Sequence, residues 1–114
     1  MKISNSEINA VYTAYNSQLN NSTKTLSASV AYKIFKNIKM IEPYYTKLIH
    51  ELNELQIKFA NSGETTEAEY NKEYARLMEE TVDIDFDLIA LSEIANELSI
   101  PEMEAIYIMI NENA

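Results

Sequence analysis

The sequence predicts a mainly α-helical fold: a long, kinked central helix packed with shorter helices, plus one short acidic β-strand near the C-terminus. Apolar residues between Leu26 and Ala60 recur at steps of three and four, which is the seam of an amphipathic helix. One glycine and two prolines in 114 residues are too few for the turns of an all-β fold. Residues Val82 to Leu88 alternate apolar side chains with aspartates, as a half-buried strand does. The length predicts a single helical domain, residues 1–114.

The first helix is predicted at about residues 5–19, behind a capping box. The Ser4 hydroxyl can accept a hydrogen bond from the Glu7 amide while the Glu7 carboxylate accepts one from the Ser4 amide. Apolar residues then follow at helical spacing, beginning with Ile8. The polar stretch 20–25 predicts a loop.

The central helix is predicted at about residues 28–60, with a kink or break at Pro43. Proline removes the amide that would bond to the Lys39 carbonyl and crowds the preceding turn. The seam stays in phase across Pro43, which favours a kink. Asn61 or Gly63 can adopt the left-handed conformation that closes a helix.

A third helix is predicted at about residues 67–80, behind a capping box that spans 66–69. The short connection predicts that it returns antiparallel to the central helix and covers part of its seam.

The predicted strand, 82–88, cannot be stable alone. Within the chain the only other candidate strand is Lys2–Ile3, and the alternative partner is another subunit.

The C-terminal part predicts two further helices. Ser92 can cap a short helix that runs through Leu98. A third capping box, from Ser99 to Glu102, begins a last helix that is apolar on nearly all sides as far as Ile110. Such a helix is expected to be buried in the core or in an oligomer interface.

The net charge of −9 is unevenly distributed. Residues 24–58 carry six lysines against three glutamates, a net +3. Residues 59–114 carry Lys72 and Arg76 against fourteen acids, a net −12. Either the two segments attract each other, within the fold or between subunits, or the acidic one faces a basic partner. Direct nucleic-acid binding is disfavoured, because phosphate contacts come from basic surfaces.

The aspartates of the predicted strand, Asp83, Asp85 and Asp87, form a candidate partner-binding face. A calcium-binding EF-hand loop starting at Asp83 would need glycine at residue 88 and glutamate at residue 94, which are Leu88 and Ile94. The alternative is a solvated strand face whose like charges protect the sheet edge from aggregation.

His50 is the only histidine, and it is predicted to lie on the surface near Glu54. A histidine and a glutamate on one helix need further ligands to hold a metal, and the sequence identifies none. No metal or other cofactor is therefore predicted.

Tyrosines and lysines in the first half form a second candidate surface. The alternative explanation for the tyrosines is that they lie at the edge of a helical core, with their rings buried and their hydroxyls in water. Lysines beside tyrosines would suit a nucleotide phosphate, although no glycine-rich phosphate loop exists. The lysines among them are expected to be solvated. The residues of this possible ligand or partner surface are Tyr32, Lys33, Lys36, Lys39 and Tyr44.

The sequence contains no signature of an enzyme, a membrane protein or a disulfide-bonded protein. It has no cysteine and no nucleophile–histidine set. No apolar run approaches the roughly 18 residues of a membrane span, and the N-terminus lacks the apolar core of a signal peptide. These observations predict a non-enzymatic, intracellular protein that does not enter membranes.

The order of elements resembles that of small proteins encoded by phages and prophages of Gram-positive bacteria, most without an assigned function. The resemblance covers nearly the whole chain through residues that pack and cap helices. It implies phage origin and expression in the host cytoplasm, and it transfers no catalytic or binding residue. It rests on the stretches MKISNSE, SVAYKIFKNIKMIEP, VDIDFDLIALSEI and PEMEAIYIMI, and on the acidic helix between the second and third.

Three functions follow as hypotheses. The first is an acidic inhibitor or anti-defence factor that binds a host or defence protein through the acidic C-terminal half. The second is a virion-assembly or tail-accessory protein that self-associates. The third is an oligomeric sponge that sequesters a small nucleotide signal.

Overall fold

The longest element is a single helix, α2 (Ala28–Asn61), which runs through Pro43 without interruption. A computed structural model describes residues 1–20, 25–61, 67–94 and 97–113 of the chain. The long dimension of the molecule, 54 Å, is close to the roughly 50 Å length of a 34-residue helix. A break near Pro43 is therefore excluded, and the predicted long helix is confirmed. Its buried apolar positions are Val30, Ile34, Ile38, Ile41, Leu48 and Leu55.

The N-terminal segment forms a short strand, β1 (Lys2–Ser4), followed directly by α1 (Asn5–Gln18). The predicted capping box is present: the Glu7 amide donates to the Ser4 hydroxyl, and the Ser4 amide donates to the Glu7 carboxylate, both at 3.1 Å. The rings of Tyr12 in α1 and Tyr45 in α2 stack with centroids 4.1 Å apart. These contacts fix α1 against the middle of α2.

Helix α3 (Glu67–Glu79) returns along the second half of α2, as predicted. Its early residue Tyr70 meets the ring of Phe59 edge-on at 5.3 Å, while Leu77 near its end lies beside Leu55. None of its residues is fully buried, so α3 covers the distal seam only in part. The predicted cap at Thr66 and the Gly63 closure of α2 lie outside the described residues. Residues 21–24 of the predicted loop at 20–25 also lie outside them.

The acidic strand exists but is shorter than predicted. Strand β2 (Thr81–Asp83) pairs antiparallel with β1, with Ile3 opposite Val82, so the predicted partner within the chain is confirmed. The amide of Ile84 adds one more bond, to the Met1 carbonyl at 3.0 Å.

The prediction of one continuous strand to Leu88, and of one apolar helix from the third capping box to Ile110, was wrong. Strand β3 (Ile89–Ala90) pairs parallel with β4 (Ile110–Asn111), so each end of the C-terminal region contributes two residues to a second sheet. Helix α5 (Ile100–Ala105) keeps its predicted Ser99 capping box and gives way to a 3-10 turn, Tyr107–Met109. Pairing with β3 replaces the expected last helical turns.

The core lies where α1, the first half of α2 and the C-terminal elements meet. Helix α4 (Leu91–Ile94) begins before Ser92, so Ser92 lies inside the helix and does not cap it as predicted. Residues 95 and 96 are outside the described part, and Glu97 and Leu98 are not helical, so the helix does not run through Leu98 as predicted. Apolar side chains from both ends of the chain are fully buried in this core, among them Ile3, Ile8, Ile89, Ile94, Ile106 and Met109. The chain is thus mainly helical, with a long central helix, shorter helices around it and short strands.

Candidate partner-binding groove

The acidic segment between α3 and β3 is held at both ends by buried asparagines. At the first end the Asn5 amide donates to the Glu80 carbonyl, and its side chain donates to the Leu77 carbonyl, each at 2.8 Å. At the second end Asn37 bonds the backbone of Asp87 twice. The Asn37 side-chain nitrogen donates to the Asp87 carbonyl at 2.9 Å, and the Asp87 amide donates to the Asn37 side-chain oxygen at 2.8 Å. The segment between these anchors is therefore fixed against α1 and α2.

The structure divides the three predicted aspartates into two environments. Asp83 and Asp85 are exposed, and neither forms an ion pair with any described residue. Asp87 is half-buried, and its carboxylate lies 3.8 Å from the Lys36 ammonium. The expectation of one solvated face is therefore right for two of the aspartates and wrong for Asp87, because Asn37 draws the chain toward α2 there.

A groove of about 300 Å³ separates the acidic segment from α2; we call it the Tyr44 groove. Asp83 and Asp85 lie on one side of it, and Lys39 and Tyr44 on the other. Met40, Pro43 and Ile84 complete its lining. A second cleft of about 160 Å³ shares Tyr44 and continues along Glu80 and Thr81.

The lysines beside these clefts form ion pairs within α2, whereas Asp83 and Asp85 form none with any described residue. Lys39 lies 3.3 Å from the Glu42 carboxylate, and Lys47 lies 3.9 Å from the Glu51 carboxylate. Asp83 and Asp85 lie across the Tyr44 groove from Lys39, and Glu80 lines the second cleft. Lys2 stands opposite Asp83 in the strand register, but no ion pair joins them. The groove is therefore negative overall and suits a basic ligand.

The residues of the second predicted surface differ in their exposure and in their partners. Tyr32 is 64% exposed, and Lys36 and Lys39 are also exposed. Tyr44 borders the groove. Lys33 is half-buried rather than solvated as expected, because its ammonium binds the Glu93 carboxylate at 3.0 Å.

Among the described residues, three ion pairs join the lysine-rich segment to the acidic one. They are Lys33–Glu93 at 3.0 Å, Lys36–Asp87 at 3.8 Å and Lys58–Glu73 at 3.5 Å. The hydrogen bond from Lys33 holds the pKa of Glu93 below its ordinary value, and the Ala90 amide adds a second bond to that carboxylate. Part of the charge asymmetry is therefore satisfied inside the fold, as one of the two sequence interpretations expected.

His50 lies on the surface with its Nε2 3.0 Å from the Glu54 carboxylate, as predicted. In the described ranges, no three histidine, cysteine, aspartate or glutamate side chains are grouped so that they could hold a metal ion. Within the same ranges, no helix is both long and apolar enough to cross a membrane.

Sequence reasoning missed Asn5 and Asn37, the two residues that position the candidate site. Asn37 is fully buried between Ile34 and Ile41 of the apolar seam, and a polar residue at such a position signals a side chain that must find a partner. Asn5 carried a weaker signal, because it lies inside a capping box that explains polar residues by itself. Its partners are at residues 77 and 80, far from it in the sequence.

The comparisons with known proteins add no relative to this description. No protein-family model, curated protein or solved structure matches the chain. The candidate function therefore rests on the groove, its charges and the two asparagines that hold it.

Proposed function

We propose that the protein is a non-enzymatic interaction protein that binds a basic surface of a partner protein through Glu80, Asp83 and Asp85. The observation that carries the proposal is the unequal neutralisation of the groove. The lysines on its α2 side have carboxylate partners in their own helix, while Asp83 and Asp85 have no ion-pair partner in the described part of the chain. Complementary charge of this kind speeds and orients association.

The rigid attachment of the acidic segment supports the same proposal. Asn5 and Asn37 fix the backbone of the segment through uncharged hydrogen bonds, which add no positive charge to it. A prearranged charged surface loses less conformational entropy on binding than a mobile one. The narrower hypothesis, an inhibitor of a host or defence protein, adds to this the resemblance to phage proteins.

The nucleotide-sponge alternative has weaker support. Lys33 and Lys36 already pair with Glu93 and Asp87, so a phosphate would have to compete with carboxylates for them. The self-assembly alternative keeps one supporting observation, the exposed aromatic pair Tyr32 and Phe35 on the outer side of α2. Neither alternative explains the net negative groove.

The test is affinity capture from a lysate of the organism that expresses the protein, with mass spectrometry and a matched pair of variants. The variant Asp83→Lys/Asp85→Lys reverses two groove charges. The control Glu67→Lys/Glu104→Lys makes the same net change at exposed residues outside the groove. We expect wild type to capture at least one protein that the control variant also captures and the groove variant does not.

The captured protein is then purified and its association rate measured against salt. We expect the groove variant to associate about tenfold more slowly at low salt and to show a weaker salt dependence than wild type. Equal capture by both variants, or an unchanged salt dependence, contradicts the proposal. Failure of the wild-type protein to retain any partner also contradicts it.

A further inference from the structure

Strand β2 has one paired edge and one free edge. The Asn5 amide bonds to the Glu80 carbonyl and the Ile84 amide to the Met1 carbonyl, so the pair between them, Ile3 and Val82, is also hydrogen-bonded. Backbone groups alternate in direction along an antiparallel strand. The amide and carbonyl groups of Thr81 and Asp83 therefore point away from β1. In the described part of the chain, β1 is the only strand that pairs with β2.

The clefts beside the acidic segment give room next to this strand. The Tyr44 groove runs past Asp83 and Asp85, and the adjoining cleft runs past Glu80 and Thr81. Tyr44 lies in both, opposite the strand. An extended chain placed here would contact the ring of Tyr44 on one side and the β2 backbone on the other.

The charges of the segment select the occupant. A second copy of β2 would bring its own Asp83 and Asp85 against the same carboxylates, and like charges on adjacent strands are unfavourable. A strand with lysine or arginine on alternate positions would place its ammonium or guanidinium groups beside them instead. The free edge thus disfavours self-pairing and favours a basic segment.

We propose that a basic, extended segment of the partner adds to the free edge of β2 as a third strand. Its backbone bonds to Thr81 and Asp83, and its basic side chains, all on one face of the added strand, meet Asp83 and Asp85. Main-chain bonds supply affinity in this mode, and alternate side chains supply specificity. This inference rests on the proposed function and specifies how the partner is recognised.

The probe is a short capped peptide in which lysine alternates with valine, titrated into the isotope-labelled protein and followed by amide NMR. We expect shifts and slowed hydrogen exchange at the Thr81 and Asp83 amides. The matched control is the same peptide with alternate backbone nitrogens methylated, which keeps the charge and removes the strand bonds. We expect it to bind about tenfold more weakly or worse, since it loses at least two hydrogen bonds.

A substitution in the protein itself tests the same edge independently of the modified peptide. Thr81→Pro removes an amide that faces away from β1, so the β1–β2 ladder keeps its bonds. We expect the variant to remain folded and to bind the unmethylated peptide more weakly, with its salt dependence unchanged. If the variant unfolds, the methylated peptide still decides the question.

The outcomes separate this inference from the proposed function. If both peptides bind equally and Asp83→Lys/Asp85→Lys abolishes both, strand addition is overturned and the acidic-surface proposal survives. If neither peptide binds while a natural partner still depends on Asp83 and Asp85, strand addition is again overturned. If Asp83→Lys/Asp85→Lys leaves the affinity for the peptide unchanged, both strand addition and the acidic-surface proposal are wrong.

Discussion

Replacing Asn37 with alanine tests whether its two bonds to Asp87 hold the acidic segment in place. Asn37 is 0% exposed, and it bonds the Asp87 amide and carbonyl at 2.8 and 2.9 Å. Alanine removes both bonds and leaves two backbone groups without their partner. Each such loss costs about 1–3 kcal/mol when the group is buried. Asp87 is only half-buried, so water replaces part of the loss, and we expect about 2–3 kcal/mol in total.

The assay is urea unfolding followed by circular dichroism, with Asn53→Ala as the matched control. Asn53 lies on the same helix and is exposed, so the two variants share the gain in helix propensity, and their difference isolates the contacts of Asn37. A loss of that size is a large part of the roughly 6–17 kcal/mol expected for 114 residues. Amide exchange at Asp87 should accelerate in Asn37→Ala and stay unchanged in Asn53→Ala.

A difference between the two variants below about 1 kcal/mol would refute the reasoning, since it would mean that water or a rearranged backbone replaces both bonds. Unchanged exchange at Asp87 would refute it independently. Unequal urea slopes would show instead that the substitution changed the surface exposed on unfolding, and the exchange measurement would then decide.

Three further predictions concern the rest of the fold. Ile41→Ala, at a fully buried position, should cost about 2–5 kcal/mol in urea unfolding, whereas Ile57→Ala, at a position 60% exposed, should stay within about 0.5. The lowered pKa of Glu93 implies stability that is present above the ordinary glutamate pKa and is lost as pH falls through the lowered folded value. Glu93→Gln should therefore be less stable than wild type at neutral pH, with the gap closing below about pH 4; a gap that persists in acid would contradict this. The pKa of Tyr107 is raised chiefly by its hydrogen bond to Glu112, so stability from this contact is present below the ordinary tyrosine pKa and lost as pH rises through the raised one. Ultraviolet titration should find one tyrosine whose pKa falls in Glu112→Gln, and an unchanged titration curve would exclude the contact.

The features predicted correctly from the sequence are those with a local signal. The capping boxes at Ser4 and Ser99 act over three residues, and the seam of α2 repeats for more than thirty. Both signals can be read from residues that are neighbours in the sequence, so neither requires knowledge of contacts between distant parts of the chain. The strand partner at Lys2–Ile3 was found by elimination, because few segments of this chain resemble strands.

The features that were missed depend on contacts between distant residues. The bond from Asn5 to Leu77 joins residues 72 apart in sequence, and the bond from Asn37 to Asp87 joins residues 50 apart. Strands β3 and β4 have two residues each, too few for a period to appear. The different environment of Asp87 follows from Asn37 alone, since the alternation of residues 82–88 treats all three aspartates alike.

The described ion pairs do not include Asp83 or Asp85, and this is the strongest reason to look for a basic partner. Residues 59–114 contain fourteen acids, and the described pairs with the lysine-rich segment use Glu73, Asp87 and Glu93. The segment that carries Asp83 and Asp85 is held by asparagines, which fix it without adding positive charge. If mutual attraction of the two halves were the whole explanation for the asymmetry, the lysines beside the groove would pair across it. Lys39 and Lys47 pair along their own helix instead, so mutual attraction of the two halves does not account for Asp83 and Asp85.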